Sequence, residues 1–215
     1  MKKFIQKYWH ACFGLYIFIY LPWFFYLEKT VTTDFYDMHC ALDDLIPFNE
    51  YFIIPYLMWF AYVLSACVFM FFTADRKEFI RFAMMLITGM SISLLICQLF
   101  PNGTHLRPET FRNNNIFTRQ VIALYATDTS TNVFPSIHCY NSMAVHIALH
   151  RSRLLKKFPV VQFASLILCI LIMLSTVFLK QHSVLDVLGA ILLVLILYPL
   201  FYKVRWEKVL KLEEK

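Results

Sequence analysis

Apolar residues fall into six long stretches along the chain, about Trp9 to Leu27, Tyr51 to Phe72, Phe79 to Phe100, Pro135 to His150, Phe158 to Leu179 and Ser183 to Tyr202. Each approaches the roughly 20 residues that an α-helix needs to cross a bilayer core about 30 Å thick. The fourth is the shortest and carries His138, Asn141, Ser142 and His146. Its positions 138, 142, 145 or 146, and 149 recur at helical spacing, so its polar groups share a face that must turn away from lipid and into a bundle. The pattern predicts an all-α, six-transmembrane-helix bundle forming one domain over residues 1–215.

Composition supports a lipid solvent. The chain is 60% hydrophobic and 16% charged, against about 45–50% and about 25% in ordinary globular proteins. The mean hydropathy is +0.59. These figures exclude a soluble domain, a disordered chain, collagen, a coiled coil and a disulfide-rich scaffold. Of the 20 Lys and Arg residues, 15 lie before the first span, in the second and fourth connections, or after the last span. Only Lys29, Arg107, Arg112, Arg119 and Lys180 lie in the alternate connections. The positive-inside rule then predicts both termini in the cytoplasm and an even number of spans. The net +6 belongs to short juxtamembrane turns facing anionic lipid, so no nucleic-acid partner is expected.

The first apolar run is longer than the core of a signal peptide, and no small-x-small cleavage pattern follows it, so it is expected to be a retained anchor. Five of the six cysteines fall in the spans and only Cys40 in an outer loop. Neither a disulfide framework nor a CxxC metal spacing results. The segment Glu28 to Glu50 holds six acidic residues, and its amphipathic part, Cys40 to Phe48, suits a membrane surface. Pro101 to Phe134 is polar and rich in Asn and Thr.

The chemistry concentrates at the outer ends of the last four spans. Pro135-Ser136-Ile137-His138 opens the fourth span, with Pro135 placed to start the helix. Unpaired amides and the helix dipole make such a start an anion site, to which Ser136 adds a hydroxyl. His182 begins the sixth span and Asp186 follows at i+4, on one helix face, where a carboxylate holds an imidazole in one tautomer. An oriented, basic His182 is a nucleophile; His138 can protonate a leaving oxygen; Arg107 can clamp phosphate oxygens.

The ordered set Arg107-Pro108, Pro135-Ser136-Ile137-His138 and Ser175-Thr176 with His182 and Asp186 resembles the type 2 phosphatidic acid phosphatase superfamily, whose signatures are KxxxxxxRP, PSGH and SRxxxxxHxxxD. The likeness covers about Phe100 to Asp186 and the six-span layout. It implies that His182 attacks phosphorus and forms a phosphohistidine, that Asp186 orients it, that His138 is the acid, and that Arg107 and Ser136 bind phosphate. It also implies that neither metal nor cofactor is needed. Three positions depart: Phe100 stands for the first lysine, Ile137 for the PSGH glycine and Thr176 for the third-signature arginine. Lys180, four residues after Thr176, shares its face if the fifth helix continues that far, and is expected to restore phosphate-binding charge. His105, Arg112 and Arg119 are further candidates for the lost lysine.

The phrase from Ser175 to Asp186, together with PSGH lacking its glycine, also looks like the inositol phosphorylceramide synthase branch. The resemblance implies a lipid phosphatase acting on a membrane phosphomonoester or pyrophosphate. An alcohol in place of water makes it a phosphotransferase, and loss of the cations would leave a non-catalytic lipid-binding or transport protein on the same fold. The expected setting is the plasma membrane, with the site facing away from the cytoplasm.

Overall fold

The computed structural model describes residues 9–204. Lys2, Lys3, Lys7, Arg205, Trp206, Lys208, Lys211 and Lys215, which include the terminal charges of the topology argument, lie outside the described residues. The fold is all-α. A 3-10 run, Trp9–Tyr16, leads into α1 (Ile17–Thr30), followed by a short α2 (Ala41–Leu45), α3 (Ile53–Thr73), α4 (Arg76–Leu99), α5 (Ile116–Thr127), α6 (Ile137–Arg151), α7 (Pro159–Phe178) and α8 (Val184–Tyr198). A π-helical turn, Pro199–Lys203, extends α8.

Among the described residues, four helical segments are long and apolar enough to cross a membrane: Glu50–Thr73, Arg76–Leu99, Pro159–Phe178 and Val184–Lys203. That is the construction of a multi-pass membrane protein. The first and fourth expected spans differ from these four for separate reasons. The first is divided between the 3-10 run and α1, which carries Pro22 inside it. The fourth, α6, has only 15 residues, about 22 Å of helix and shorter than a bilayer core.

The position of α6 explains its polarity. It packs against α3, α4, α7 and α8, and Cys139, Tyr140, Asn141, Ser142, Ala144, Val145, Ala148 and Leu149 are buried. His146 Nδ1 lies 3.1 Å from Ser165 Oγ, itself 2.7 Å from the Tyr62 hydroxyl. This polar bridge ties α6 to α7 and α3 inside protein rather than lipid. Large side chains such as Phe18, Leu64, Phe72 and Leu195 are exposed on the outer helices, where contact with acyl chains removes the cost of exposing them to water.

At one end of the bundle Arg153 joins the α4 start, 2.7 Å from Asp75 and 3.5 Å from Glu78. The other end carries a knitted polar layer. Strands β1 (Tyr36–Asp37) and β2 (Asn102–Gly103) pair in parallel, and Gly103 bridges to Thr131. Asn102, fully buried, accepts from the Asn132 amide through its carbonyl and from the Phe134 amide through Oδ1 at 2.7 Å. The 101–134 connection, expected from its composition to be a polar loop, holds α5, whose Val121 and Leu124 pack on Ile53, Tyr56 and Leu179. Glu50 anchors the loop before α5 by accepting from the side chains of Asn113 at 2.8 Å and Asn115 at 2.9 Å.

The short α2 turns its acidic residue inward. Leu42 and Leu45 are exposed, whereas Asp43 is 1% exposed. Asp43 Oδ2 accepts from the Ser183 hydroxyl at 2.6 Å and from the Cys40 amide at 2.8 Å. Its Oδ1 accepts from the Val184 amide at 2.8 Å. The loop thus caps α8 from a distance along the chain, supplying an acceptor to one of the amides that a helix start leaves unpaired. Burial pushes the Asp43 carboxyl up, but the bonds from Ser183, Val184 and Cys40 outweigh it and hold the carboxyl below its ordinary 3.8.

Two predictions follow from this packing. A Cβ at Gly89 of α4 would stand 1.9 Å from Tyr140 Cζ and 2.3 Å from its hydroxyl, and Tyr140 is fixed by donating to the Met85 carbonyl at 2.6 Å. Gly89→Ala is therefore expected to destabilise the bundle by about 1–3 kcal/mol, read as a lower Tm in detergent; an unchanged Tm would contradict the packing. For Asp43 the folded carboxyl titrates below its free value, so its contribution is present above that value and lost as pH falls through the depressed one. Asp43→Asn is expected to lower Tm at neutral pH and to reduce the part of the stability that disappears on acidification. Identical acid profiles for the two proteins would show that Asp43 is not the latch.

Candidate functional site

The site is assembled where the starts of α6 and α8 meet the end of α7. Ser183 caps α8: its Oγ accepts from the Leu185 amide at 3.1 Å, and Asp186 Oδ2 accepts from the Ser183 amide at 2.9 Å. The same Oδ2 lies 3.2 Å from His182 Nδ1. One carboxylate oxygen therefore closes the helix start and orients the imidazole, leaving Nε2 for chemistry. Asp186 is fully buried and His182 is 7% exposed. Ser136 caps α6, with Oγ accepting from the Cys139 amide at 3.3 Å, and its own amide donates to the Asp186 carbonyl at 3.1 Å. Pro135, joined to Phe134 by a cis peptide, stands one residue before the cap rather than at the first helical position.

That backbone bond places the two histidines side by side. The ring centroids of His138 and His182 are 5.7 Å apart with planes inclined at 61°. His138 also packs on Trp59 at 4.4 Å and Tyr56 at 4.7 Å, aromatic walls that limit its movement. Both histidines line one cavity of about 800 Å³ that runs from Asp128 and Gln181 down an apolar wall containing Tyr20, Phe24, Leu86 and Phe72.

Arg107 sits beside this cavity rather than in its wall. Its guanidinium donates to the carbonyls of Tyr125 at 3.2 Å, Asp128 at 2.6 Å and Thr129 at 2.6 Å, capping the end of α5. It also donates to Gln181 Oε1 at 2.5 Å and covers the Tyr125 ring at 4.4 Å. Every one of these acceptors is neutral, and Nε is buried without a partner. Burial lowers the Arg107 pKa, opposed by the charge of Asp128.

Lys180 goes elsewhere. Helix α7 ends at Phe178; the Lys180 amide then bonds the Val177 carbonyl at 3.1 Å and the Gln181 amide the Thr176 carbonyl at 3.0 Å. With Lys180 at φ 54°, this is a Schellman closure with lysine in the left-handed position that glycine usually fills. The turn removes Lys180 from the helical face of Thr176. Its Nζ donates to the Asp43 carbonyl at 2.6 Å in a separate polar cleft with Asp37, His39, Asp44 and His105. Burial lowers its pKa, opposed by Asp43 and Asp44. The structure thus brings together His182, Asp186, His138 and Ser136, sets Arg107 just behind them, and leaves Lys180 and His105 apart.

Residues given no role in the site from the sequence complete it. Asp128 Oδ2 accepts from the Tyr56 hydroxyl at 2.7 Å and from Gln181 Nε2 at 3.0 Å, so Gln181 links Arg107 to the cavity. Glu28 and Asn141 also line it. For Gln181 the signal available beforehand was its proximity to His182 in the chain, for Asn141 its place among the polar groups of the fourth span, and for Glu28 its place in the acidic segment; Asp128 had none. Among the described residues no group of three or more His, Cys, Asp or Glu could hold a metal ion.

Residues 82–210 match the family model of the PAP2 superfamily, a span that contains both His138 and His182 with Asp186 and covers more than half of the chain. Neither a curated protein nor a solved structure gives a match. The superfamily is generally one of phosphatase-type enzymes acting on lipid phosphates, and the multi-pass helical fold and the ordered histidines both agree with the family match: the chain belongs to the PAP2 superfamily.

Proposed function

We propose that the protein transfers the phosphoryl group of a membrane lipid phosphate through a phosphohistidine on His182, with water as the acceptor in its phosphatase reaction. The observation that carries this reading is the 3.2 Å contact of Asp186 with His182 Nδ1 together with the His138 ring 5.7 Å away in one lipid-sized cavity. Asp186 holds the ring so that Nε2 meets phosphorus. His138 protonates the departing alcohol and then removes the proton from the incoming acceptor. The first amides of α6, capped by Ser136, supply dipole and donors to the phosphoryl oxygens, and Arg107 supplies positive potential through Gln181. Lys180 serves the site by holding the loop of Asp43, which steadies the residue after His182.

We place the site on the outer side of the plasma membrane in a six-span arrangement. In this reading the 3-10 run with α1, and α6 sheltered by its neighbours, count as spans. The basic residues near Arg76, Lys77, Arg151, Arg153, Lys156 and Lys157 face the cytoplasm. Transfer to an alcohol is the second reading, favoured by Ile137 at the PSGH glycine position, as in the inositol phosphorylceramide synthase-like branch. The histidine mechanism requires no metal.

His182→Ala is expected to abolish both turnover of a long-chain lipid phosphate and the acid-labile phosphoenzyme. Asp186→Asn should retain the fold and lower kcat by a factor on the order of 10²–10⁴. Full activity in the His182 variant would remove the mechanism. In wild type, turnover should persist in excess chelator; activity lost there and restored by a divalent ion would point instead to a metal-assisted hydrolase.

A further inference from the structure

The polar end of the cavity has an imbalance that the phosphoryl-transfer reading leaves unexplained. Neither Lys nor Arg lines it, yet Glu28 and Asp128 do. Glu28 accepts from the Thr129 hydroxyl at 2.6 Å and from Asn132 Nδ2 at 3.0 Å; Asp128 accepts from Tyr56 and Gln181. All four donors are neutral. Among the described residues, neither carboxylate has a Lys or Arg within ion-pair distance.

The same wall leaves acceptors over. Asn132 Oδ1 and Asn141 Oδ1 are buried without a partner, and Asn141, one helical turn below His138, is only 1% exposed. Buried acceptors are costly when unpaired, and two carboxylates beside a phosphate site repel a dianion. The wall offers one unpaired donor, Trp59 Nε1, and Arg107 reaches the Asp128 carboxylate only through Gln181, so a ligand with N–H donors and a positive charge of its own fits these acceptors best. A phosphomonoester brings no positive charge and, as a dianion, no donor. A phosphodiester carries one negative charge instead of two, and an ammonium on its headgroup supplies three N–H donors.

We propose that the lipid bound here is a phosphodiester whose headgroup carries a primary ammonium, seated between Glu28, Asp128 and the Asn132 amide oxygen, with its tails in the apolar arm. This rests on the phosphoryl-transfer reading and narrows its substrate. The lipid-side oxygen lies toward His138, whose ring packs on Trp59 at the apolar arm. His182 Nε2 bonds to phosphorus as the bond from phosphorus to the lipid alcohol breaks, and protonated His138 gives its proton to that oxygen. The aminoalkyl phosphoryl group stays on His182 with its ammonium in the acceptor pocket. Water or a second alcohol then bonds to phosphorus, its proton passes to His138, and the phosphorus–nitrogen bond breaks.

The test uses the purified full chain in detergent micelles with four lipids of the same acyl composition: phosphatidylethanolamine, its N-acetyl derivative, phosphatidylglycerol and phosphatidate. Diacylglycerol release is measured with and without a long-chain alcohol. The expected result is a kcat/KM for phosphatidylethanolamine at least tenfold above that of the N-acetyl lipid, which loses the charge and two N–H donors and gains an acetyl group whose bulk the carboxylate variants control for. That ratio should fall toward one in Glu28→Gln and in Asp128→Asn. Equal or faster turnover of the N-acetyl lipid, phosphatidylglycerol or phosphatidate by wild type overturns the ammonium pocket while leaving phosphoryl transfer intact, as does an unchanged ratio in both variants. Turnover of none of the four removes the phosphoryl-transfer reading itself.

Discussion

The site depends on Asp186, a single buried residue working in two directions. Its Oδ2 takes the Ser183 amide and the His182 ring, while its backbone carbonyl takes the Ser136 amide. The side chain alone is an ordinary helix cap, worth on the order of 1 kcal/mol. Its larger effect is geometric. By joining the first turn of α8 to the cap of α6, Asp186 fixes the relative position of two imidazoles that are 44 residues apart in the chain. Disturbing this residue changes the orientation of His182 and the distance to His138 together.

The membrane makes that arrangement affordable in one place only. A short helix with His138, Asn141, Ser142 and His146 cannot face lipid, because unpaired polar groups there have no water to bond. Surrounding α6 with α3, α4, α7 and α8 solves this. It also puts the polar helix where its N-terminus meets that of α8. The pairing of His146 with Ser165 and of Ser165 with Tyr62 shows the same rule deeper in the bundle.

How much of this the sequence discloses depends on the range of each interaction. Apolar runs are local, so the long helices are legible at once, as is the i+4 relation of His182 to Asp186. The interior face of α6 follows from helical spacing. Asp43 is different: six acids in one outer segment look alike until the fold brings one of them to Ser183 and Val184, about 140 residues away. Asp128 and Gln181 acquire their roles the same way. Lys180 misleads for a local reason. Its placement on the Thr176 face assumes continued helix, but the chain closes after Phe178 with lysine in a left-handed conformation that carries no glycine or asparagine signal.

The three departures from the family signatures have a common physical outcome. Phe100 stacks on Tyr36 at 4.6 Å, Ile137 packs against the cluster of Tyr20, Leu27 and Leu94, and Thr176 donates to the Met173 carbonyl at 2.7 Å beside Cys139. Each position where the signatures place a cation, or a bare backbone, is filled by packing or a local bond. Arg107 retains its charge but directs its donors to carbonyls and Gln181. Positive potential near the histidines is therefore lower than three converging cations would give, in surroundings where low dielectric magnifies each missing charge. A dianionic ligand would meet the full cost of that loss; a singly charged phosphoryl group meets much less. The departures and the unpaired acceptors of the cavity thus press in the same direction, toward a ligand that carries its own positive charge.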